Sequence, residues 1–254
     1  MARYTKEWLS TMVAAGILHQ DRDSRLYTVP EGHKPALLKD TAYAPMITTL
    51  SARADRIKKC FQEDGPFESG IKVVDLGCGP GNYTNILAQR FSNSSFVGLD
   101  YSEPAIQMAN KDKAERGLSN VTFHVGDAHN LPEDWTESFD MVFVYDVLHD
   151  LPDPHKALKQ INRILKPDGC FSLIEVGFHS DPVDNAGDMS AAMYYSNSTF
   201  ICLASSMTGE PRVGYGACWG REEIEKAVLG AGFKISGESS LVVMGTKCFF
   251  FCTK

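Results

Sequence analysis

Three glycines at alternate positions follow an acid at the end of a short apolar segment. The segment Ile71–Asp75 is rich in β-branched residues, which predicts a buried strand, and it is followed by Gly77, Gly79 and Gly81. Glycine adopts dihedral angles that other residues avoid, and it lets a ligand touch the backbone without a Cβ in the way. Asn82 is predicted to cap the next helix, whose N terminus leaves free N–H groups beside the glycines. A strand, a glycine turn and a helix are typical of the opening of a nucleotide-binding α/β sheet.

A second acid stands where a ribose would be recognised. The segment Phe96–Leu99 predicts another strand, and it is followed by Asp100, roughly 20 residues after the glycines. A dinucleotide site has the pattern G-x-G-x-x-G, which seats a pyrophosphate on the helix N terminus, whereas this chain has D-x-G-x-G-x-G. Asp75 would repel a pyrophosphate, but its charge suits the ammonium group of a methionine moiety. The pattern therefore favours S-adenosylmethionine (SAM) over NAD as the cofactor.

These segments resemble the motifs of a known enzyme family. Val73–Gly81 with Gly98–Asp100 is similar to motif I and the second-strand acid of the class I SAM-dependent methyltransferases. Further matches follow in the expected order at Gly126–Ala128, Phe139–Asp140 and Leu165–Gly169. The resemblance covers about residues 71–254, and it implies an α/β fold with a Rossmann-like, doubly wound, seven-stranded sheet.

The resemblance also implies how the chain is divided. Residues 67–254 are predicted to form the methyltransferase domain, which ends in an antiparallel hairpin that turns at 244–246. Residues 1–66 are predicted to be a partial winged-helix and helical linker segment, because a helical pattern at 6–18 precedes a short strand at Arg25–Pro30. The earlier helices of a winged helix are missing, so this segment is expected to be truncated. In related plant-type O-methyltransferases such a domain serves mainly in dimerisation, which implies a possible homodimer here.

Composition limits the classes of partner. The 254 residues are 43% hydrophobic, which is enough for one large core and a small appendage, and the net charge is −7 without any basic block. A nucleic-acid partner is therefore disfavoured, also for the N-terminal segment, where DNA binding is the alternative. Seven cysteines without a Cys-x-x-Cys pair favour reduced thiols and a cytoplasmic protein, and no stretch is long enough to span a membrane. No metal-ligand cluster is evident, so no metal is predicted.

Further cofactor contacts are expected after the third strand, Val121–Val125. Asp127 is placed to accept a hydrogen bond from the adenine amine, and the Ala128 backbone is placed to meet the edge of the ring. Tyr101, directly after the ribose acid, is a candidate to lie against the adenine. Asp127 is otherwise an ordinary turn residue and Tyr101 a surface residue.

The fourth strand, Met141–Tyr145, leads to the candidate reacting group. Asp146 or the Tyr145 carbonyl is expected to hold the methionine end of the cofactor, since ligands of open α/β sheets bind at the carboxyl ends of the strands. His149–Asp150 resembles the His-Asp pair of plant-type O-methyltransferases, in which the histidine removes the proton of the acceptor hydroxyl. In many other class I methyltransferases the corresponding histidine only lines the pocket, and both interpretations of His149 stay open.

The sequence thus predicts a SAM-dependent methyltransferase that acts on a small molecule, and methylation of a hydroxyl with His149 as general base is the leading interpretation. N- or S-methylation is the alternative within this class. A catalytically silent SAM-binding protein and an NAD-linked oxidoreductase are the alternatives outside it. The segment 180–215, rich in methionine and aromatic residues, is expected to be core more than substrate wall.

Overall fold

The computed structural model describes residues 19–21, 24, 26–28, 66–241 and 247–254. The chain divides into two compact units, Met1–Thr49 and Leu50–Lys254. The helix predicted at 6–18 and the hairpin turn predicted at 244–246 lie outside the described residues.

In the first unit, a two-stranded ribbon lies where a short strand was predicted after a polar turn. Strand β1 (His19–Gln20) pairs antiparallel with β2 (Tyr27–Thr28). The turn between them is held by Asp21, whose Oδ1 accepts from the Ser24 backbone N–H at 2.7 Å. An aspartate that accepts from the backbone a few residues ahead is common turn chemistry. The ribbon has the form of the predicted wing.

The second unit is built on a seven-stranded sheet. Its strands are β3 (Lys72–Leu76), β4 (Ser95–Asp100), β5 (Val121–Val125), β6 (Phe139–Tyr145), β7 (Leu165–Val176), β8 (Lys234–Leu241) and β9 (Lys247–Thr253). They lie in the order β5-β4-β3-β6-β7-β9-β8. The first five are parallel, whereas β9 is antiparallel to both of its neighbours. The order reverses between β3 and β6, which is the point where open α/β sheets bind ligands. The predicted sheet and its antiparallel closing pair are confirmed.

Helices cover the two faces of the sheet. They are α1 (Pro66–Ser69), α2 (Asn82–Arg90), α3 (Glu103–Glu115), α4 (Pro154–Ile164), α5 (Met189–Phe200), α6 (Cys202–Ser206) and α7 (Arg221–Gly230). Short 3-10 turns lie at Glu133–Trp135, Leu148–Asp150 and Pro182–Asn185. Among these helices none is long and apolar enough to cross a membrane.

Side chains cap the N termini of α3, α4 and α5, whereas α2, α6 and α7 begin without a side-chain cap. Ser102 caps α3 as predicted, because its hydroxyl accepts from the Ala105 N–H at 3.4 Å. The prediction for Asn82 is wrong, since Asn82 is already the first helical residue. The cap position belongs to Gly81, which has φ 73° and makes no side-chain bond. A left-handed residue is needed there to turn the chain from the glycine loop into α2.

Buried side chains hold the strands in place from both faces. On one face, α4 buries its apolar stripe, with Leu158, Ile161 and Ile164 all fully buried. On the other face, the rings of Phe67, Phe91 and Phe96 stack with centroids 5.0 and 6.3 Å apart. Because both faces are packed, the carboxyl ends of the strands form a rigid edge for a site.

Helices α5 and α6 form the segment between β7 and α7, here called the cap. The expectation that its methionines and aromatic residues are core is wrong for several of them. Met189 and Phe200 are each 80% exposed, and Met193 is 53% exposed. A helix of small and polar residues with scattered large ones has no single apolar face to bury, and only Ala191 and Ser198 of α5 are buried among the described residues.

Candidate active site

The three loop glycines all have positive φ, but they serve different contacts. A Cβ on Gly77 would lie 2.3 Å from Val147, and a Cβ on Gly81 would lie 2.7 Å from Ala109. Both positions are therefore closed by packing. A Cβ on Gly79 (φ 52°) would meet no described atom within 4 Å. Gly79 thus borders open space, where a ligand can approach the backbone.

Asp100 lies at the end of β4 and is held from two sides. Its Oδ2 accepts the Gly79 N–H at 2.8 Å, and its Oδ1 accepts the Ser102 N–H at 2.8 Å. Each carboxylate oxygen can accept a further bond, and Asp100 lines a cavity. The structure therefore places the predicted ribose acid in a fixed orientation beside open volume.

Asp75 is buried beneath the glycine loop rather than in the cavity wall. Its Oδ2 accepts the Thr84 hydroxyl at 2.6 Å. Burial raises the pKa of Asp75 to about 6, and Asp100 adds to the increase, although the Thr84 hydrogen bond opposes it. An ammonium group near Asp75 would stabilise the ionised form of this carboxylate, which burial disfavours.

The cavity has a volume of about 300 Å³ at the carboxyl edge of the sheet. Of the predicted residues, Gly77, Asp100, Tyr101, Asp127 and Ala128 line it. Asp75, Gly79, Gly81, Tyr145, Asp146 and His149 do not. The rest of the lining includes Asp150, Leu151, Pro152, Ser205 and Thr208. Ser205 and Thr208 belong to the segment 180–215, for which a substrate wall was the alternative expectation, whereas Leu151 and Pro152 were not predicted.

Asp127 and Tyr101 combine the two interpretations that the sequence left open. Asp127 lines the cavity, but Oδ1 accepts the His129 N–H at 2.9 Å and Oδ2 accepts the Asn130 amide at 2.8 Å, so both oxygens also hold the turn. These hydrogen bonds lower the pKa of Asp127, although its burial opposes them. Tyr101 is 79% exposed and touches the cavity from its rim.

Asp146 forms an ion pair that the sequence did not indicate. It follows β6 with φ 53°, and its Oδ2 accepts from Lys247 at the start of β9. Burial and the nearby Glu175 carboxylate raise the pKa of Asp146, although Lys247 opposes them. The Lys247 ammonium also lies 5.7 Å from the ring centre of Tyr145. The methionine end predicted at Tyr145 and Asp146 is thus a place where a cation already sits.

His149 is buried against a carboxylate. Its Nδ1 pairs with Oε2 of Glu175, which is fully buried, and Oε1 of Glu175 accepts the Leu148 N–H at 2.8 Å. Burial alone would lower the pKa of His149, but the Glu175 charge and the hydrogen bonds that the ring makes with Cys202 and Glu175 raise it to about 11. The ring nitrogen Nε2 lies 3.5 Å from Asp150 Oδ1. At neutral pH this histidine is therefore the charged imidazolium, with a proton on each ring nitrogen.

Comparisons with known proteins agree with this geometry. Residues 67–226 match a family described as methyltransferase domain, and residues 1–39 match a Rv2258c-like winged HTH domain. A demethylmenaquinone methyltransferase of Staphylococcus carnosus is 34% identical over 157 residues, which cover 61% of this chain and 64% of that protein. One from Lactobacillus johnsonii is 32% identical over 132 residues, covering 51% and 54%. This chain thus spans little more than half the length of these relatives.

Solved structures show the same fold. A SAM-dependent methyltransferase from Aquifex aeolicus superposes with a TM-score of 0.55 at 17% identity, covering 84% of this chain and 98% of the other. Because the family match includes more than half of the residues, the chain belongs to the methyltransferase domain family, with a winged-helix match at its N-terminal residues.

Proposed function

We propose that this protein transfers the methyl group of SAM to a small-molecule acceptor at the edge of the cavity. The observation that carries the proposal is that one cavity is lined both by the ribose acid Asp100 and by Asp150 with Ser205 of the cap. The cofactor would lie beside Asp100 and the acceptor beside Asp150 and Ser205. Methyl transfer from a sulfonium needs mainly alignment of donor and acceptor, which a shared cavity provides.

The cofactor contacts follow from this placement. Asp100 would accept hydrogen bonds from the ribose hydroxyls, and Gly79 would let the ligand approach the loop backbone. Asp127 and Ala128 would face the adenine, with Tyr101 at the rim. The ammonium group of the methionine moiety would be attracted to the carboxylates at the switch point, those of Asp75 and Asp146, with the Tyr145 carbonyl nearby.

The acceptor is proposed to be a small molecule because the relatives are named for a demethylmenaquinone. A hydroxyl acceptor with His149 as general base is the more specific proposal, and N- or S-methylation is its alternative. The pairing with Glu175 fixes the ring and engages Nδ1, so Nε2, which lies 3.5 Å from Asp150, is the nitrogen that would exchange a proton with an acceptor. The raised pKa weighs against this role, since the ring must first release a proton. Homodimer formation through the N-terminal segment also stays a prediction from the family resemblance.

Two measurements test these proposals. Calorimetric titration with S-adenosylhomocysteine (SAH) and with NAD should give binding of SAH alone, and tighter binding of NAD would contradict the cofactor assignment. Transfer of a labelled methyl group should then be followed to a panel of phenols, amines and thiols. SAH binding without transfer to any acceptor would support a catalytically silent protein.

A variant separates the roles of His149. His149→Gln should slow methylation of a hydroxyl acceptor by about 10²-fold or more while SAH affinity stays near normal, because general bases contribute on that scale. His179→Gln is the matched control, because His179 also pairs with a carboxylate, that of Glu222, but is half exposed and does not line the cavity. An unchanged rate in His149→Gln would exclude the general-base role.

A further inference from the structure

A histidine, a carboxylate and a thiol meet where cap helix α6 packs on the turn after β6. His149 and Asp150 belong to that turn, and Cys202 is the first residue of α6. One ligand atom from each of the three lies within 4.8 Å of the others. The fold thus brings together three side chains of different chemistry from distant parts of the chain.

We propose that these three side chains form a zinc site, with His149 Nε2, Asp150 Oδ1 and Cys202 Sγ as ligands. Imidazole, carboxylate and thiolate are the protein ligands that Zn²⁺ uses. Zinc–ligand bonds of about 2.0–2.3 Å place tetrahedral ligand atoms roughly 3.3–3.8 Å apart. The 3.5 Å between His149 Nε2 and Asp150 Oδ1 already fits, so the thiol has at most about 1 Å to move.

Asp150 Oδ1 is a buried atom of a side chain that is 37% exposed. It accepts no hydrogen bond from the described residues, and its ion-pair contact is His149 Nε2 at 3.5 Å. Buried carboxylate oxygens normally have a close polar partner. A metal ion between His149 Nε2 and Asp150 Oδ1 would bind both atoms more closely than this contact does.

Glu175 orients the histidine as a metal ligand requires. It pairs with Nδ1 of His149 and is itself fixed by the backbone N–H groups of Val147 and Leu148, at 3.2 and 2.8 Å. A carboxylate on the far nitrogen fixes the tautomer and directs the other nitrogen to the metal. The ring is therefore held with Nε2 on the side of Asp150 and Cys202.

A second group of possible ligands lies close by but is already engaged. Asp146, His149 and Glu175 also bring ligand atoms within 4.8 Å of one another. Asp146 Oδ1 is also buried without a hydrogen bond from the described residues, but Oδ2 pairs with Lys247, and both oxygens of Glu175 accept hydrogen bonds. A cation there would have to displace these partners, which favours the site with Cys202.

The proposed site opens toward the cavity, because Asp150 lines it together with Ser205 of α6. Three protein ligands leave a fourth position on zinc for water or another ligand. A thiol or hydroxyl acceptor bound there would release its proton to solvent. This consequence rests on the proposed methyl transfer, whereas the proposal that zinc binds does not. Coordination and proton acceptance both use Nε2, so they are competing roles for His149.

Metal binding is tested on the full chain without any activity assay. The protein, stripped with a chelator and dialysed, is titrated with Zn²⁺ by calorimetry and with Co²⁺ by absorption spectroscopy. We expect one equivalent of each to bind at micromolar concentration, with a thiolate-to-Co²⁺ charge-transfer band. Cys202→Ser should abolish the band, and Asp150→Asn should weaken Zn²⁺ binding about 10-fold or more.

Cys170→Ser is the matched control, because Cys170 is also half-buried but lies in β7, and it should leave the band unchanged. Thermal melting checks that each variant is folded. Binding below one equivalent at micromolar metal would overturn the proposal, and so would a charge-transfer band that survives in Cys202→Ser. If the protein binds the metal but transfers no methyl group, the result would count against the proposed function and not against the zinc site.

Discussion

The backbone N–H of Gly79 donates to Oδ2 of Asp100 at 2.8 Å, which ties the glycine loop to the end of the neighbouring strand. The two residues were predicted to contact different parts of the cofactor. Their direct bond makes the loop and the ribose acid one unit, so that a change in either should alter the other.

Replacing Asp100 should weaken cofactor binding strongly. Asp100→Ala removes the acceptors proposed for the ribose hydroxyls, and hydrogen bonds to a charged group contribute about 1.5–3 kcal/mol. The Kd for SAH, measured by calorimetry, should therefore rise roughly 10- to 100-fold. Glu103→Gln, one turn away on α3, is the control and should bind normally. Unchanged affinity in Asp100→Ala would remove Asp100 from the cofactor site.

Gly79 and Gly81 should respond differently to alanine. Both have positive φ, which costs a residue with a Cβ about 1–2 kcal/mol. In Gly81→Ala the Cβ also meets Ala109 and Phe123 at 2.7–2.8 Å, so overpacking should add about 1–3 kcal/mol. Denaturant unfolding should show the larger loss for Gly81→Ala. Titration should also show that Gly79→Ala binds SAH more weakly than the wild type does. Equal stabilities of Gly79→Ala and Gly81→Ala would contradict the packing difference.

Asp75 should make the folded protein less stable as pH rises through the range of about 4 to 6. The pKa of Asp75 is about 6 in the folded protein and 3.8 in its ordinary state, so the folded protein holds the proton more tightly. The stabilisation from this proton is complete below pH 3.8 and is lost above about pH 6. The difference corresponds to roughly 3 kcal/mol. Asp75→Asn keeps the acceptor for Thr84 and removes the titration. Its free energy of unfolding relative to wild type should rise between pH 4 and 6 and then level off; a difference that does not vary with pH would refute the raised pKa.

The Lys247–Asp146 pair should be energetically coupled. A double-mutant cycle with Lys247→Met and Asp146→Asn isolates the pair, and about 1.5–3 kcal/mol is expected for a largely buried charged hydrogen bond. Lys226, paired with Glu223 on the surface, is the control, because exposed pairs contribute little. Coupling near zero in urea unfolding would mean that Lys247 is not a partner on which Asp146 depends.

The fold could be predicted largely because its signals are local. The glycine loop, the acid at Asp100 and the β-branched strands can each be recognised from a few consecutive residues. Ser102 caps its helix through a contact with a residue three positions later. Asn82 failed as a cap because the conformation of Gly81 is set by packing against Ala109 and Phe123, which come later in the chain. The exposure of Met189 and Phe200 likewise depends on what the cap leaves uncovered.

The residues on the cofactor side of the site were predicted individually, whereas the cap was expected only as a segment. Asp100, Asp127 and Ala128 follow strands, and strand ends meet at one edge of a parallel sheet by topology. Lys247 and Cys202 reach their partners across 101 and 53 positions, and no short pattern marks either of them. Glu175 stood near a strand tip in the sequence, but its pairing with His149 needed the register of β6 and β7.

The strand order has a consequence for how the chain folds as it is made. Strand β8 lies at the sheet edge and reaches β7 only through β9, although β9 comes later in the chain. During synthesis the five parallel strands can assemble first, while β7 keeps an open edge and β8 waits without a neighbour. Unpaired edges invite association between chains. The interval between the emergence of Val176 and of Lys247 is therefore when the nascent protein most needs protection.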